Sequence, residues 1–187
     1  TVRMTVRELK HALREEFKRK REELSEERKK SAENELFDAI AYLSEKHASI
    51  VSFESFQTEI SMHKINHFLE EEGKLLLPRV DSDFNLKAYA VKNRESELEL
   101  SPLGLREPDP EKCQEISPDQ ISLVLVPGLI FDSKCHRIGY GKGCYDRFLS
   151  QLKESCLFLG IGYREQYSQE ILPFDEKDKV LSALFLF

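Results

Sequence analysis

The sequence predicts an α/β fold, with three α/β/α layers built on a mostly parallel central sheet. Three observations carry that expectation. Short runs rich in Val, Ile, Leu and Phe alternate with segments whose apolar residues fall at helical spacing. An early strand-helix-strand order implies a right-handed parallel crossover. The clearest buried run, Ile121 to Val126, ends on Pro127-Gly128, a break at the carboxyl end of a strand, where parallel sheets bind ligands.

In order along the chain, Thr5-Val6-Arg7-Glu8 reads as a capping box that opens the first helix. Its apolar stripe is Leu9, Leu13, Phe17 and Leu24, with Lys10, Arg14 and Arg21 toward another face. The charged run from Arg19 through Arg21 to Lys30 reads as a solvated surface. Ser25 caps a second helix that turns Ala32, Leu36, Ala39, Ile40 and Leu43 inward. Neither proline nor glycine interrupts this region before Gly73, so two N-terminal helices packed on the sheet are expected. Ala48 to Phe53 is the first strand and Glu54 to Glu59 the loop after it. Met62, Ile65, Phe68 and Leu69 mark a helix that Gly73 ends. Lys74 to Leu77 reads as a short buried strand closed by Pro78, and Leu86 to Val91 as another. Arg94 to Lys112, with Pro102, Gly104, Pro108 and Pro110, reads as a loop-rich excursion. After Ile121 to Val126, residues Asp132 to Arg137 turn back as a short hairpin; Leu157 to Ile161 and Ala183 to Phe187 complete the strands. Strands alternating with helices in this way give a Rossmann-like layering. The loops Glu54 to Glu59, Pro78-Arg79 and Pro127-Gly128 are expected to converge on one edge of the sheet.

With 187 residues the chain is most economically one domain, 1–187, large enough for a single substantial core. A content of 40% hydrophobic and 33% charged residues is that of a globular protein in water, and no apolar run reaches bilayer-spanning length. The first residues show no signal-peptide core, and Glu8, Glu15 and Glu16 argue against an acid-poor transit peptide. A formal net charge of -6 argues against a broad nucleic-acid surface and leaves room for a local basic pocket. Cys113, Cys135, Cys144 and Cys156 form no C-x-x-C pair and no zinc spacing, so reduced thiols in a cytoplasmic protein are expected.

The most informative stretch is Arg137-Ile138-Gly139-Tyr140-Gly141-Lys142-Gly143-Cys144-Tyr145-Asp146-Arg147-Phe148. Alternate glycines free the backbone to approach a ligand and to adopt positive φ. Tyr145, Phe148, Leu149 and Leu152 then start a helix, so amides at its N-terminus face an anion. Lys142 adds a positive charge and Asp146 a carboxylate suited to a metal, a combination that fits a metal-bound polyphosphate. The block spells neither G-x-G-x-x-G nor G-x-x-x-x-G-K-[ST], and a glycine turn before a helix is common on its own.

With Val126-Pro127-Gly128-Leu129-Ile130-Phe131-Asp132 just ahead of it, this block resembles the signature of the 5-formyltetrahydrofolate cyclo-ligases, also called 5,10-methenyltetrahydrofolate synthetases. The likeness continues in Lys10 and Arg14, Pro78-Arg79, Glu107-Pro108 and Asp178, in the family's order over nearly the whole chain. The resemblance implies ATP-dependent cyclisation of 5-formyltetrahydrofolate to 5,10-methenyltetrahydrofolate through a phosphorylated formyl intermediate, with release of ADP and phosphate. It implies that Lys10, Arg14 and Arg137 bind ATP together with Gly139, Tyr140, Gly141, Lys142, Gly143, Cys144 and Tyr145. Lys142 and Arg14 carry the catalytic charge. The folate meets Glu54, Glu59, Tyr140, Gly141, Lys142, Gly143 and Cys144, with Glu59 accepting hydrogen bonds from the amino-pterin edge. Mg2+ falls to Asp146 and Asp178, although Asp175, Glu176 and Asp178 compete for the second position and Lys177 stands where relatives often carry histidine.

The chain departs from the family pattern elsewhere too. Glu54 stands where an apolar residue is common, Cys144 replaces an aromatic, and no tryptophan precedes Glu107-Pro108. A thiol beside a helix N-terminus is expected to have a lowered pKa, yet no base partner is evident, so Cys144 reads as pocket wall. Phe53 and Phe56 either flank a ring or belong to the core. His63 and His67 lie one turn apart, but His11, His47, His63, His67 and His136 form no metal pattern. Two other readings stay open: another ATP-dependent ligase or kinase on this scaffold, and a binding relative without turnover. The expected partners are ATP and the folate, with no nucleic acid and no membrane, acting on a monomer.

Overall fold

The computed structural model describes residues 2–187. The chain opens with helix α1 (Val6–Glu22), and the capping box forms: the Glu8 amide donates to the Thr5 hydroxyl at 3.2 Å and the Thr5 amide to the Glu8 carboxylate at 2.7 Å. Ser25 accepts from the Arg28 amide at 3.1 Å and starts α2 (Glu26–Ser44). Strand β1 (Ile50–Val51), helix α3 (His63–Glu71) and strand β2 (Leu75–Val80) give the expected crossover, with β1 and β2 parallel. Then come β3 (Leu86–Ala90), the single-turn α4 (Arg94–Glu97), β4 (Leu98–Leu100), β5 (Arg106–Pro108), β6 (Gln114–Ile116) and β7 (Leu123–Val126). The chain ends with β8 (Ile130–Asp132), β9 (Arg137–Ile138), α5 (Cys144–Leu149), β10 (Leu157–Gly162), β11 (Tyr167–Ser168) and β12 (Ala183–Leu186).

Seven strands form the central sheet in the order β12-β10-β7-β1-β2-β3-β6. The first five run parallel, and β3 is antiparallel to both β2 and β6. Alternation sorts the residues of β7: Leu123 and Leu125 face the α2–α3 layer, while Val124 and Val126 face α5. Covered on both faces, such strands read as unbroken apolar runs, which is why Ile121 to Val126 stood out. From α2, Leu36 and Ile40 are fully buried, each stabilising the fold by about 1.5–3 kcal/mol. Phe37 and Phe68 meet edge to face at 5.6 Å where α2 crosses α3. No helix among the described residues is long and apolar enough to cross a membrane.

A second sheet, β11-β8-β9, stands beyond the carboxyl ends of the central strands and contains the expected hairpin, β8 against β9. Its turn is anchored by the buried Asp132, whose carboxylate accepts from the amides of Lys134, His136 and Leu172. Leu13 and Phe17 of α1 pack on this sheet with Leu129, Ile130, Ile138 and Leu172, so α2 lies on the central sheet and α1 on its neighbour.

Besides α1, which packs on the second sheet although the central one was expected, three elements differ from the sequence reading. Pro78 does not close β2; the strand runs on to Val80, with Pro78 opposite Ala88. The Val91 amide donates to the Leu75 carbonyl, so by alternation Pro78 turns its nitrogen to the β1 side, and β1 has ended at Val51. The missing N–H costs nothing there. Second, the 94–112 excursion is ordered, with β4 and β5 paired as a ribbon. Third, β6 is an edge strand with no apolar signal of its own.

Candidate active site

The glycine block bends as its composition requires. Gly141 and Gly143 have φ of 100° and 71°, and Gly143 is the N-cap of α5. With six residues, α5 has little dipole to offer, so charge at the loop comes from side chains.

Helix α1 delivers them. Arg14 Nε donates to the Gly139 carbonyl at 2.7 Å, and a Cβ on Gly141 would stand 3.3 Å from Arg14 Cζ. Burial lowers the pKa of Arg14, as does nearby Arg137, while Asp178 works the other way. Lys10 Nζ donates to Asp178 Oδ2 at 2.7 Å and lies 3.6 Å from Asp175. Arg137 is held by the Pro127 carbonyl at 3.1 Å and lies 3.8 Å from Asp146. Its Nε is buried with no hydrogen-bond partner among the described residues. Asp146 also accepts from the Lys179 amide at 3.0 Å, which brings Asp146 beside the Asp178 segment. Of the three competing acids near the C-terminus, Asp178 is half-buried here while Asp175 and Glu176 are exposed. No group of three His, Cys, Asp or Glu side chains with metal-holding geometry occurs among the described residues. Lys142 is exposed at the loop tip, its Nζ 5.3 Å from the centre of the Phe84 ring, apart from the α1 cations.

Next to the block lies a cleft of about 140 Å³. Phe53, Glu54, Phe56 and Glu59 line it from the loop after β1, Pro78 from β2, and Pro127 from the break after β7. Leu105 and Arg106 close it from the β4–β5 ribbon, and Tyr140 and Tyr145 from the glycine block. Pro78-Arg79 and Glu107-Pro108 meet behind it, where Arg79 donates to the Pro108 carbonyl at 3.0 Å. Burial pushes the Glu59 carboxyl up to about 7, against the opposing Phe56 amide, which donates to it at 2.7 Å, and against nearby Arg21 and Tyr140. Burial likewise raises the Tyr140 and Tyr145 phenols.

Several of the expected residues have partners or surroundings that the sequence did not anticipate. Both carboxylate oxygens of Glu54 are taken by Arg94, at 2.6 and 3.1 Å, so Glu54 borders the cleft as half of an ion pair. The Cys144 pKa is raised rather than lowered: burial outweighs the pull of Arg147 and Arg137, and the thiol stays protonated. Arg21, expected on a solvated surface, is 1% exposed. Its guanidinium donates to Tyr140 Oη at 2.9 Å, to Thr58 Oγ1 at 3.1 Å and to the Gly128 carbonyl at 3.4 Å. Lys10, Arg14, Phe17 and Arg21 recur at i, i+4, i+7 and i+11, which is one helix face, and that spacing was the available signal.

Comparison with known proteins gives the family. The model of the 5-formyltetrahydrofolate cyclo-ligase family matches residues 6–185. A probable 5-formyltetrahydrofolate cyclo-ligase of Schizosaccharomyces pombe is 32% identical over 128 residues, covering 61% of this chain and 62% of that protein, so the chain spans under two thirds of that relative. The 5-formyltetrahydrofolate cyclo-ligase of Mus musculus is 28% identical over 195 residues, covering 97% of this chain and 96% of its own. The solved 5,10-methenyltetrahydrofolate synthetase of Aquifex aeolicus superposes with a TM-score of 0.82 at 28% identity, over 94% of this chain and 88% of that one. With the family pattern running from the first turn of α1 to the last strand, the chain belongs to the 5-formyltetrahydrofolate cyclo-ligase family.

Proposed function

We propose that this protein catalyses the ATP-dependent cyclisation of 5-formyltetrahydrofolate to 5,10-methenyltetrahydrofolate, releasing ADP and phosphate. The observation that carries the reading is the convergence of α1 on the glycine block, with Arg14 bonded to Gly139 and packed against Gly141. The substrate identity rests on the names of its relatives.

A formamide carbon is a poor electrophile, and its oxygen is a poor leaving group. Attack of the formyl oxygen on the γ-phosphorus forms a C–O–P link and expels ADP. The second folate nitrogen then bonds to the formyl carbon and gives up its proton to the phosphate or solvent, closing the five-membered ring as the C–O bond breaks and phosphate departs. What the chain supplies is alignment and charge. Lys10, Arg14 and Arg137 hold the polyphosphate, Arg14 and Lys142 spread its developing charge, and the amides of residues 139–145 cradle it. The flexible stem of Lys142 lets it turn from Phe84 over a bound phosphate. Glu59 accepts the amino-pterin edge in the cleft, with Tyr140 and Cys144 as walls.

The donor chemistry fits Mg2+: Asp146 and Asp178 are hard carboxylates on segments joined by the Lys179 amide, and magnesium takes one or two such ligands with water and phosphate. When bound, the ion would neutralise phosphate charge. A monomer in the cytoplasm, with its four cysteines free, completes the proposal. The test is incubation with ATP, Mg2+ and 5-formyltetrahydrofolate while following methenyl absorbance and ADP together. Matched appearance of both supports the reading; ADP without methenyl product points to another phosphoryl acceptor, and neither points to a binding protein.

A further inference from the structure

Arg21 is the largest fully buried side chain that the reaction above does not use. It makes no ion pair with any described carboxylate within 4 Å; its three acceptors are a hydroxyl, a phenol and a carbonyl. A guanidinium buried among neutral partners is expensive to keep, and an apolar side chain of similar size would often be no less stable. The three acceptors belong to three different segments: Thr58 to the loop after β1, Gly128 to the break after β7, and Tyr140 to the glycine block. Those are the segments that wall the cleft around Glu59. Arg21 and Glu59 also border one crevice, too narrow for water, together with Phe53, Pro127, Gly128 and Gln166.

We propose that Arg21 is a positioning residue of the folate pocket: its guanidinium ties the three cleft segments together and sets its positive charge beside Glu59, the acceptor of the amino-pterin edge. The proposal rests on the reading of Glu59 as the pterin contact. The hydroxyl of Tyr140 accepts from Arg21, and Tyr140 and Glu59 line the same cleft, so the buried cation is held against the wall that the buried acid shares. The groups facing Glu59 are Arg21 from α1, Tyr140 from the block and Tyr145 from α5; of these only Arg21 is a cation. Glu54 and Arg106 line the same cleft, Glu54 already matched by Arg94. Burial drives Glu59 toward its neutral form, and Arg21 acts against that drive. A neutral carboxyl would give the pterin one acceptor fewer.

The test follows Glu59 by carbon-13 NMR of side-chain carboxyls in the ligand-free protein, assigned with Glu59→Gln. Arg21→Met should move the titration midpoint of Glu59 upward by about one pH unit or more, the usual effect of a nearby opposite charge. Arg21→Lys, which keeps the charge and loses the fork, should return it toward the wild-type value. In turnover, the KM for 5-formyltetrahydrofolate should fall as Glu59 ionises, and in Arg21→Met that fall should shift to higher pH by the same amount, with no matching shift in the KM for ATP. A merely structural arginine would weaken folate binding equally at every pH. An unmoved Glu59 midpoint in folded Arg21→Met overturns the proposal alone. A moved midpoint with an unmoved folate profile overturns the Glu59–pterin reading and the proposal with it. If Arg21→Met does not fold, Tyr140→Phe decides: freeing the guanidinium from that wall should also raise the midpoint, and an unmoved value refutes the role.

Discussion

Gly141→Ala is expected to damage this protein in two separable ways. The residue has φ of 100°, where an L side chain is strained by about 1–2 kcal/mol. For a chain of this length each kcal/mol lowers Tm by roughly 2–4 °C, so strain alone should cost about 2–8 °C. The new methyl would also stand 3.3 Å from Arg14 Cζ and Nη2 and 3.4 Å from Nη1. Those atoms cannot retreat freely, because Arg14 Nε is tied to the Gly139 carbonyl at 2.7 Å. The guanidinium must nonetheless give by a few tenths of an ångström; since a misplacement of about 1 Å costs roughly 10²-fold in rate, a fall of roughly three- to tenfold is expected. The control is Gly73→Ala, at φ of 70° with nothing within 4 Å of the added Cβ. Gly73 closes α3 through bonds from its own amide to Glu70 O and from the Lys74 amide to Leu69 O. Its replacement should lower Tm comparably and leave kcat intact. The assay is ATP-dependent turnover at saturating folate, with thermal melts by circular dichroism. Equal turnover in the two variants would refute the claim that α1 and the glycine block work as one unit.

Asp146→Asn keeps the side-chain size and removes the charge, so the Mg2+ concentration needed for half-maximal turnover should rise while the melt is little changed; an unaltered titration would make Asp146 only a helix-end charge. Cys144→Ser should fold and turn over near the wild-type rate, because burial holds the thiol protonated and the proposed chemistry uses no thiolate. A folded Cys144→Ser variant that binds both substrates yet does not turn over would overturn the non-covalent mechanism. For stability against pH, Glu59 titrates near 7 in the fold against an ordinary 4.5, so the native state binds the extra proton between those values. Its contribution therefore falls as pH rises through that window. Glu59→Gln lacks this slope, and urea denaturation should show its stability gaining on the wild type between pH 4.5 and 7; a constant difference would contradict the buried carboxyl.

What the sequence made legible was local. The capping box, the α2 stripe, the Pro127-Gly128 break and the positive-φ glycines are each decided by a few neighbouring residues. What it hid depended on distant partners. Pro78 sits inside β2 because β1 is two residues long, and a propensity cannot anticipate its neighbour's length. The pairing of Glu54 with Arg94 joins residues 40 apart, and no local pattern marks it. Strands β4 and β6 carry charged and polar residues at partly exposed positions, and β5 buries Glu107 beside a proline, so pairing, not apolarity, makes them strands. Arg21 was hidden by its residue type: its spacing from Lys10, Arg14 and Phe17 marked the inward face, while a basic run is ordinarily solvated.

The central claim is that the formyl oxygen attacks ATP and leaves as part of phosphate. It is tested most directly by supplying 5-formyltetrahydrofolate labelled with heavy oxygen in the formyl group, together with ATP and Mg2+. The account predicts that each methenyl product formed is matched by one inorganic phosphate carrying the label, and that ADP carries none. Unlabelled phosphate, with the heavy oxygen released to water, would contradict it.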